Sequence, residues 1–131
     1  MGQPTRINIM SLLLVGLLAW FIPGAGHWVL RERKRAIIIF VTISLLFTIG
    51  IYAGSIGVID PVRERLWYSA QMLNSPLVGI LGQMTIVGNY ESFGRPNEVG
   101  QIYTGIAGLL NLFCIINAIY LADSRRTQIT M

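Results

Sequence analysis

Pro23-Gly24-Ala25-Gly26-His27-Trp28-Val29-Leu30-Arg31-Glu32-Arg33-Lys34-Arg35 separates two apolar runs and decides how the rest of the chain is read. It holds four of the ten lysine and arginine residues and the only histidine. Proline removes a backbone donor and glycine permits a sharp reversal, so Pro23, Gly24 and Gly26 end or bend the helix before them. The basic residues Arg31, Arg33, Lys34 and Arg35 then fix orientation, because basic loops stay on the cytoplasmic face of a membrane.

The composition makes that membrane the expected solvent. Of 131 residues, 53% are apolar and 12% charged, where soluble domains carry about 25% charged. The basic residues gather at Arg31–Arg35 and at Arg125-Arg126. Clusters of that kind beside apolar runs read as orientation signals and not as a nucleic-acid surface, which would need interleaved aromatic residues. The single cysteine, Cys114, excludes an internal disulfide and a cysteine-based zinc site.

Upstream of the turn, Ile7 to Ile22 is apolar apart from Asn8 and Ser11. A cleaved leader is the rival reading. It would export the basic stretch, so a retained first span over 7–23 is expected. The 16 residues from Ile7 to Ile22 cover roughly 24 Å, short of a hydrocarbon core of about 30 Å. Extension past Pro23, a thinned bilayer or a snorkelling Arg6 would close the gap. Trp20 and Trp28 flank the turn as interfacial tryptophans do. His27 is expected to bond backbone freed by the turn. With no second histidine, a bis-histidine haem is excluded. A His/Met pair with Met10, Met72 or Met84 stays open, although methionine there suits packing. No cofactor is expected.

Downstream, 36–54 is a charge-free span, with Ser44, Thr48, Gly50, Ala53 and Gly54 small enough for close helix contact. Asp60-Pro61 is a helix start, followed by an amphipathic helix over 61–73 lying on the membrane surface. Val62, Leu66, Ala70 and Leu73 share its apolar face, and Arg63, Glu64 and Gln71 fall off it. The stretch 74–88 is apolar but interrupted by Pro76, Gly79 and Gly82. If both basic clusters are cytoplasmic, no complete crossing fits there, so it is re-entrant or interfacial. Gly94 and Pro96 mark a loop. The last span is 101–121. Thr104, Gly108, Asn111, Ile115 and Ala118 recur on one stripe of it, a seam for internal packing or for another subunit.

The turn, its following apolar residues, the basic patch and the second apolar helix resemble the hairpin of small bacterial membrane-protein families. The pattern is similar to the two-transmembrane-helix domain family over about residues 10–54. Tyr103 to Leu112 resembles the last helix of an uncharacterised bacterial family with the same Pro-Gly-x-Gly-His turn. The resemblance implies a helical hairpin and brings no reaction.

The expectation is therefore a single all-α integral membrane domain over 1–131. It has three transmembrane helices, an interfacial amphipathic helix and a re-entrant or interfacial segment. The amino terminus is placed outside, and the basic stretch and the tail with Arg125 and Arg126 inside a bacterial inner membrane. No acid or base lies inside the three spans, whereas ion-coupled transporters need such groups. Gly24-Ala25-Gly26 lacks the strand context of a dinucleotide site. A non-catalytic accessory or structural subunit of a larger membrane complex is the leading function. Its partners would be the bilayer and other membrane subunits, without nucleic acid. A small transport or channel component with 74–88 lining a cavity is the alternative. An enzyme acting on lipid, resting on His27 alone, comes third.

Overall fold

A computed structural model describes residues 8–131, the side chains of residues 129 and 130 excepted. Its described residues form helices and no strand. Two long helices make the frame. One, α3 in chain order, is Arg33–Gly54; the other, α6, is Gly94–Thr130. Both are long and apolar enough to cross a membrane. They run antiparallel. At one end Gly50 and Gly54 of α3 meet Gly100 and Thr104 of α6: a Cβ on Gly50 would lie 2.6 Å from Thr104 Cγ2 and 2.9 Å from the Gly100 carbonyl. At the other end Arg125 donates to Glu32 Oε1 at 2.7 Å and to the Leu30 carbonyl at 2.5 Å.

Two helical hairpins fill the frame from opposite ends. The first joins α1 (Ile9–Phe21) to α2 (Ala25–Val29). Helix α1 runs antiparallel to α6. Near its start Leu12 packs on a cluster of Val15, Leu30, Ala118 and Ala122, and near its end the Ala19 carbonyl faces Asn111. Gly24 then takes φ +85°, a left-handed conformation that disfavours side chains, and a Cβ there would collide with the Ala36 carbonyl. The chain doubles back. A Cβ on Gly26 would stand 3.0 Å from Ala19 Cβ and 3.1 Å from Ala118 Cβ, so α2 lies close on both α1 and α6.

The second hairpin enters from the opposite end. Asp60 Oδ1 accepts the backbone N–H groups of Val62 (2.8 Å) and Arg63 (3.0 Å), which holds a turn. A 3₁₀ turn, Ile56–Val58, precedes it. Helix α4 (Arg65–Met72) then follows α6, setting Trp67 on Gly105 and Ala70 on Gly108. After Ser75-Pro76, α5 (Leu77–Gly88) returns along α4, with Gly79 beside Met72 and Gly82 beside Tyr68. Thr85 Oγ1 donates to the Ile56 carbonyl at 3.1 Å, and Arg63 pairs with Glu91 at 2.5 Å across the hairpin base. Each half of the chain is thus a hairpin followed by a long helix, and the two halves point in opposite directions. The hairpin tips meet at Asn111, near the middle of α6.

This arrangement corrects several expectations. The stretch 7–23 does not carry the chain from end to end. Its described helix has 13 residues, about 20 Å, and the turn at Pro23-Gly24 sends it back. The start of α1 therefore lies at the same end as Arg31–Arg35 and Arg125, not opposite them; Met1 to Ile7 fall outside the described residues. The stretch 74–88 is regular helix over most of its length, its glycines being contacts for α4. The helix expected over 61–73 starts at Arg65, because Asp60 holds 61–63 in a turn. Its Gln71 is buried, while Val62 and Leu66 stay exposed. Gly94 (φ +73°) and Pro96 open α6 instead of lying in a loop; proline is tolerated in a first turn because its missing N–H has no helical acceptor there. Helix α3 likewise starts at Arg33, before the expected 36.

Candidate functional site: the junction of the hairpin tips

A helix leaves its last four carbonyls without intrahelical partners. Two helices, α1 and α4, end inside the molecule, so this is a sharp accounting problem. Backbone N–H groups in the turns cover part of it: Ile22 bonds Leu18, Leu73 bonds Ala70 and Asn74 bonds Gln71. Side chains cover several others, and each comes from another element. Trp20 Nε1 of α1 donates to the Met72 carbonyl of α4 at 2.9 Å. Ser75 Oγ of the second tip donates to the Phe21 carbonyl of the first at 3.0 Å. Asn111 Nδ2 of α6 donates to the carbonyls of Leu73 (2.9 Å), Asn74 (2.8 Å) and Ala19 (3.4 Å). One amide thereby ties both tips to α6.

A second polar contact lies further along α4. Gln71 Nε2 donates to Thr104 Oγ1 at 2.8 Å and to the Val58 carbonyl at 3.3 Å. Around these bonds the side-chain amide oxygens Asn74 Oδ1, Asn111 Oδ1 and Gln71 Oε1 are buried without a hydrogen-bond partner. Asn74 also lines a cavity of about 290 Å³ between the two tips and α3, with Phe21, Pro23, Ser44, Thr48 and Ser75. No charged side chain lines it. Among the described residues no cluster of three or more His, Cys, Asp or Glu could hold a metal ion.

The residues singled out in the sequence fall in three places. Thr104, Gly108, Asn111 and Ala118 are buried and Ile115 is half-buried. The four buried ones pack within the chain, Thr104 and Gly108 on α4, Asn111 on the junction and Ala118 on α2. Pro23 and Gly24 form the first tip, and Gly26 seats α2. His27 is buried, but its ring bonds no turn backbone: its Nε2 lies 3.0 Å from Asn117 Oδ1, and its Nδ1 has no partner. Arg31, Arg33, Lys34 and Arg35 are exposed at the basic end, and Arg125 and Arg126 are half-buried there. Trp20, expected at an interface, instead joins the tips. Sequence reasoning missed Trp20, Gln71, Asn74 and Ser75 as junction residues. The only signal for them was polar character beside an apolar run; nothing in their spacing shows that two tips meet.

Fold and site together define an all-helical protein with two membrane-length helices and two opposed, interrupted hairpins. The chain belongs to a family of unknown function, DUF6677, whose model matches residues 14–128. No curated protein and no solved structure matches it.

Proposed function

We propose that this chain is a small integral membrane protein of the transport or channel class, with two crossings (α3 and α6) and two re-entrant hairpins. The observation that carries this reading is the tip-to-tip meeting of two interrupted helices beside a cavity, midway along the long helices. Transporter sites are commonly built at such a place, from discontinuous helices of oppositely oriented halves. Backbone of that kind is tolerated at membrane depth where protein covers it or a cavity adjoins it. Trp20, Ser75 and Asn111 provide the cover and the cavity does the rest. Its lining is uncharged, which favours a small neutral polar solute over an ion.

Charge supports an orientation. The end with Arg31–Arg35 and Arg125-Arg126 carries six basic and two acidic residues; the other end carries three basic and four acidic residues. The basic end is placed in the cytoplasm of a bacterial inner membrane. The start of α1 then lies inside as well, together with the tail.

Reconstitution into liposomes tests the function. Stopped-flow light scattering under gradients of glycerol or urea should show permeability at least threefold above protein-free liposomes. Thr48→Trp, which fills the cavity, should abolish the excess. Permeability equal to protein-free liposomes for water, glycerol and urea would reject the reading.

One observation favours a second reading, an accessory subunit. The cavity opens on the flank of the molecule, where Phe21, Ile22, Phe40 and Leu77 are exposed. Its outer wall in a bilayer is therefore lipid or another membrane protein. Copurification from native membranes with a stoichiometric partner, together with no flux, would support that reading.

A further inference from the structure

The first hairpin and α3 stand apart along one flank. Helix α1 packs on α2 and α6, and α3 packs on α2 and α6, but the two are not joined by a contact surface of their own. The gap between them is a groove of about 350 Å³. Its walls are Leu18, Ile22 and Pro23 on one side, Ile37 and Phe40 on the other, and Trp28 at the basic end. No charged side chain lines it.

The mouth of the groove is different. Arg33, Ile37 and Phe40 follow one another at spacings of four and three, so they share one face of α3. The Arg33 guanidinium stands 5.7 Å from the centre of the Trp28 ring. A cation is therefore held where the apolar lining ends. Neighbouring cations are not neutralised. Glu32, the one acid in the cluster, is bound by Arg125. Among the described residues no carboxylate pairs with Arg31, Arg33, Lys34 or Arg35.

An apolar slot that ends under uncompensated cations is complementary to one kind of bilayer component. We propose that the groove binds one anionic phospholipid, an acyl chain lying along Leu18, Ile22, Ile37 and Phe40 and the phosphate facing Arg33 beside Trp28. Basic segments next to a membrane helix attract anionic headgroups. A guanidinium suits phosphate because its planar donors match two phosphate oxygens. A second copy of the chain is a poorer occupant: a two-fold contact through this flank would bring two sets of like charges together.

The groove adjoins the tip cavity, sharing Ile22, Pro23 and Phe40 with it, but the inference rests on the cations at its basic end and not on any solute. The test is competitive retention. Purified protein in mild detergent receives an excess of phosphatidylglycerol and phosphatidylcholine of identical acyl chains in equal amounts. Native mass spectrometry then counts what stays bound. The expected result is one phosphatidylglycerol per chain, retained at least fivefold over phosphatidylcholine. Arg33→Gln should bring the preference to twofold or less. Ile37→Trp, which fills the slot, should lower retention of both lipids. Arg63→Gln, at the opposite end, should change neither. Thermal unfolding of each variant in the same detergent shows that it is folded. Equal retention of the two lipids by the wild type, an undiminished preference in Arg33→Gln, or a lipid-free dimer as the main species would each overturn the proposal. A wild type that shows no lipid preference but intact solute flux would reject this inference and leave the transport reading standing.

Discussion

The two hairpins follow one plan but are held in different ways. The first, α1–α2, sits on α6 through small and aliphatic side chains. Gly16 faces the end of Ile119, Gly26 faces Ala118, and Val15, Leu30, Ala118 and Ala122 form an apolar cluster. The second, α4–α5, sits on α6 through backbone contact and polar pins. Gly108 lies against the Ala70 carbonyl and Gln71 bonds Thr104, while Thr85 of α5 bonds the 3₁₀ turn at Ile56 and not α6. The difference matters in lipid. No hydrophobic force draws helices together there, so close packing and hydrogen bonds must do it. By that criterion the second hairpin is the more firmly docked, and the first is the one with room to move. The groove beside α1 is the visible sign of that room.

The largest test of this contrast uses the two glycine seats. A Cβ on Gly108 would overlap the Ala70 carbonyl, a backbone atom that cannot step aside. A Cβ on Gly16 would come 3.0 Å from Ile119 Cδ1, the far end of a flexible side chain. Gly108→Ala should therefore cost about 3 kcal/mol or prevent folding. Gly16→Ala should fall within about 1 kcal/mol of neutral, since alanine's better helix propensity offsets the small shift of Ile119. Unfolding in mixed detergent reads both. Equal losses at the two sites would remove the contrast between the hairpins.

The next test asks what joins the hairpins. Asn111 donates to carbonyls of both tips. Asn111→Leu should cost about 1–2 kcal/mol, near the upper end for membrane hydrogen bonds because more than one is lost. Gln71→Leu removes a pin of the second hairpin alone and should cost about 0.6 kcal/mol. Backbone amide exchange separates them further. Asn111→Leu should raise exchange at both tips, and Gln71→Leu only in α4. Exchange confined to one tip in Asn111→Leu would mean that the amide serves one hairpin and the tips are not coupled through it.

How much of this could be read from the sequence follows from the kinds of interaction involved. The long helices were legible because length and hydropathy are local properties. The stripe on α6 was legible because small residues recur at helical spacing, and its burial follows from that. The course of 9–32 was not. Apolar content signalled a span, but whether α1 crosses or doubles back depends on Gly26 meeting Ala19 and also Ala118, the latter more than ninety residues away in the chain. The same holds for Trp20, whose indole looked interfacial until Met72 supplied a carbonyl. Gly79, Gly82 and Pro76 read as helix breakers from their propensities. Here Pro76 turns the chain between α4 and α5, and the glycines allow Tyr68 and Met72 to approach, so tertiary contact overrides propensity.

The smallest expected effect lies at the hairpin bases, where the contrast runs the other way. Each base carries one ion pair: Arg125 with Glu32 for the first hairpin and Arg63 with Glu91 for the second. Both pairs are partly exposed, and water and salt screen such pairs. Arg125 has an additional role, because it also donates to the Leu30 carbonyl, in the turn that links α2 to α3. A hydrogen bond to a charged donor is stronger than a neutral one. Arg125→Gln should therefore cost about 1 kcal/mol, and Arg63→Gln about 0.3 kcal/mol or less. Salt distinguishes the two parts of the Arg125 contribution. Raising ionic strength to about 1 M, where screening acts over about 3 Å, should weaken the Glu32 pairing and leave the carbonyl bond. The wild type should then keep an advantage over Arg125→Gln but lose any over Arg63→Gln. If high salt erases both differences, Leu30 contributes nothing, and the base of the first hairpin is no better anchored than that of the second.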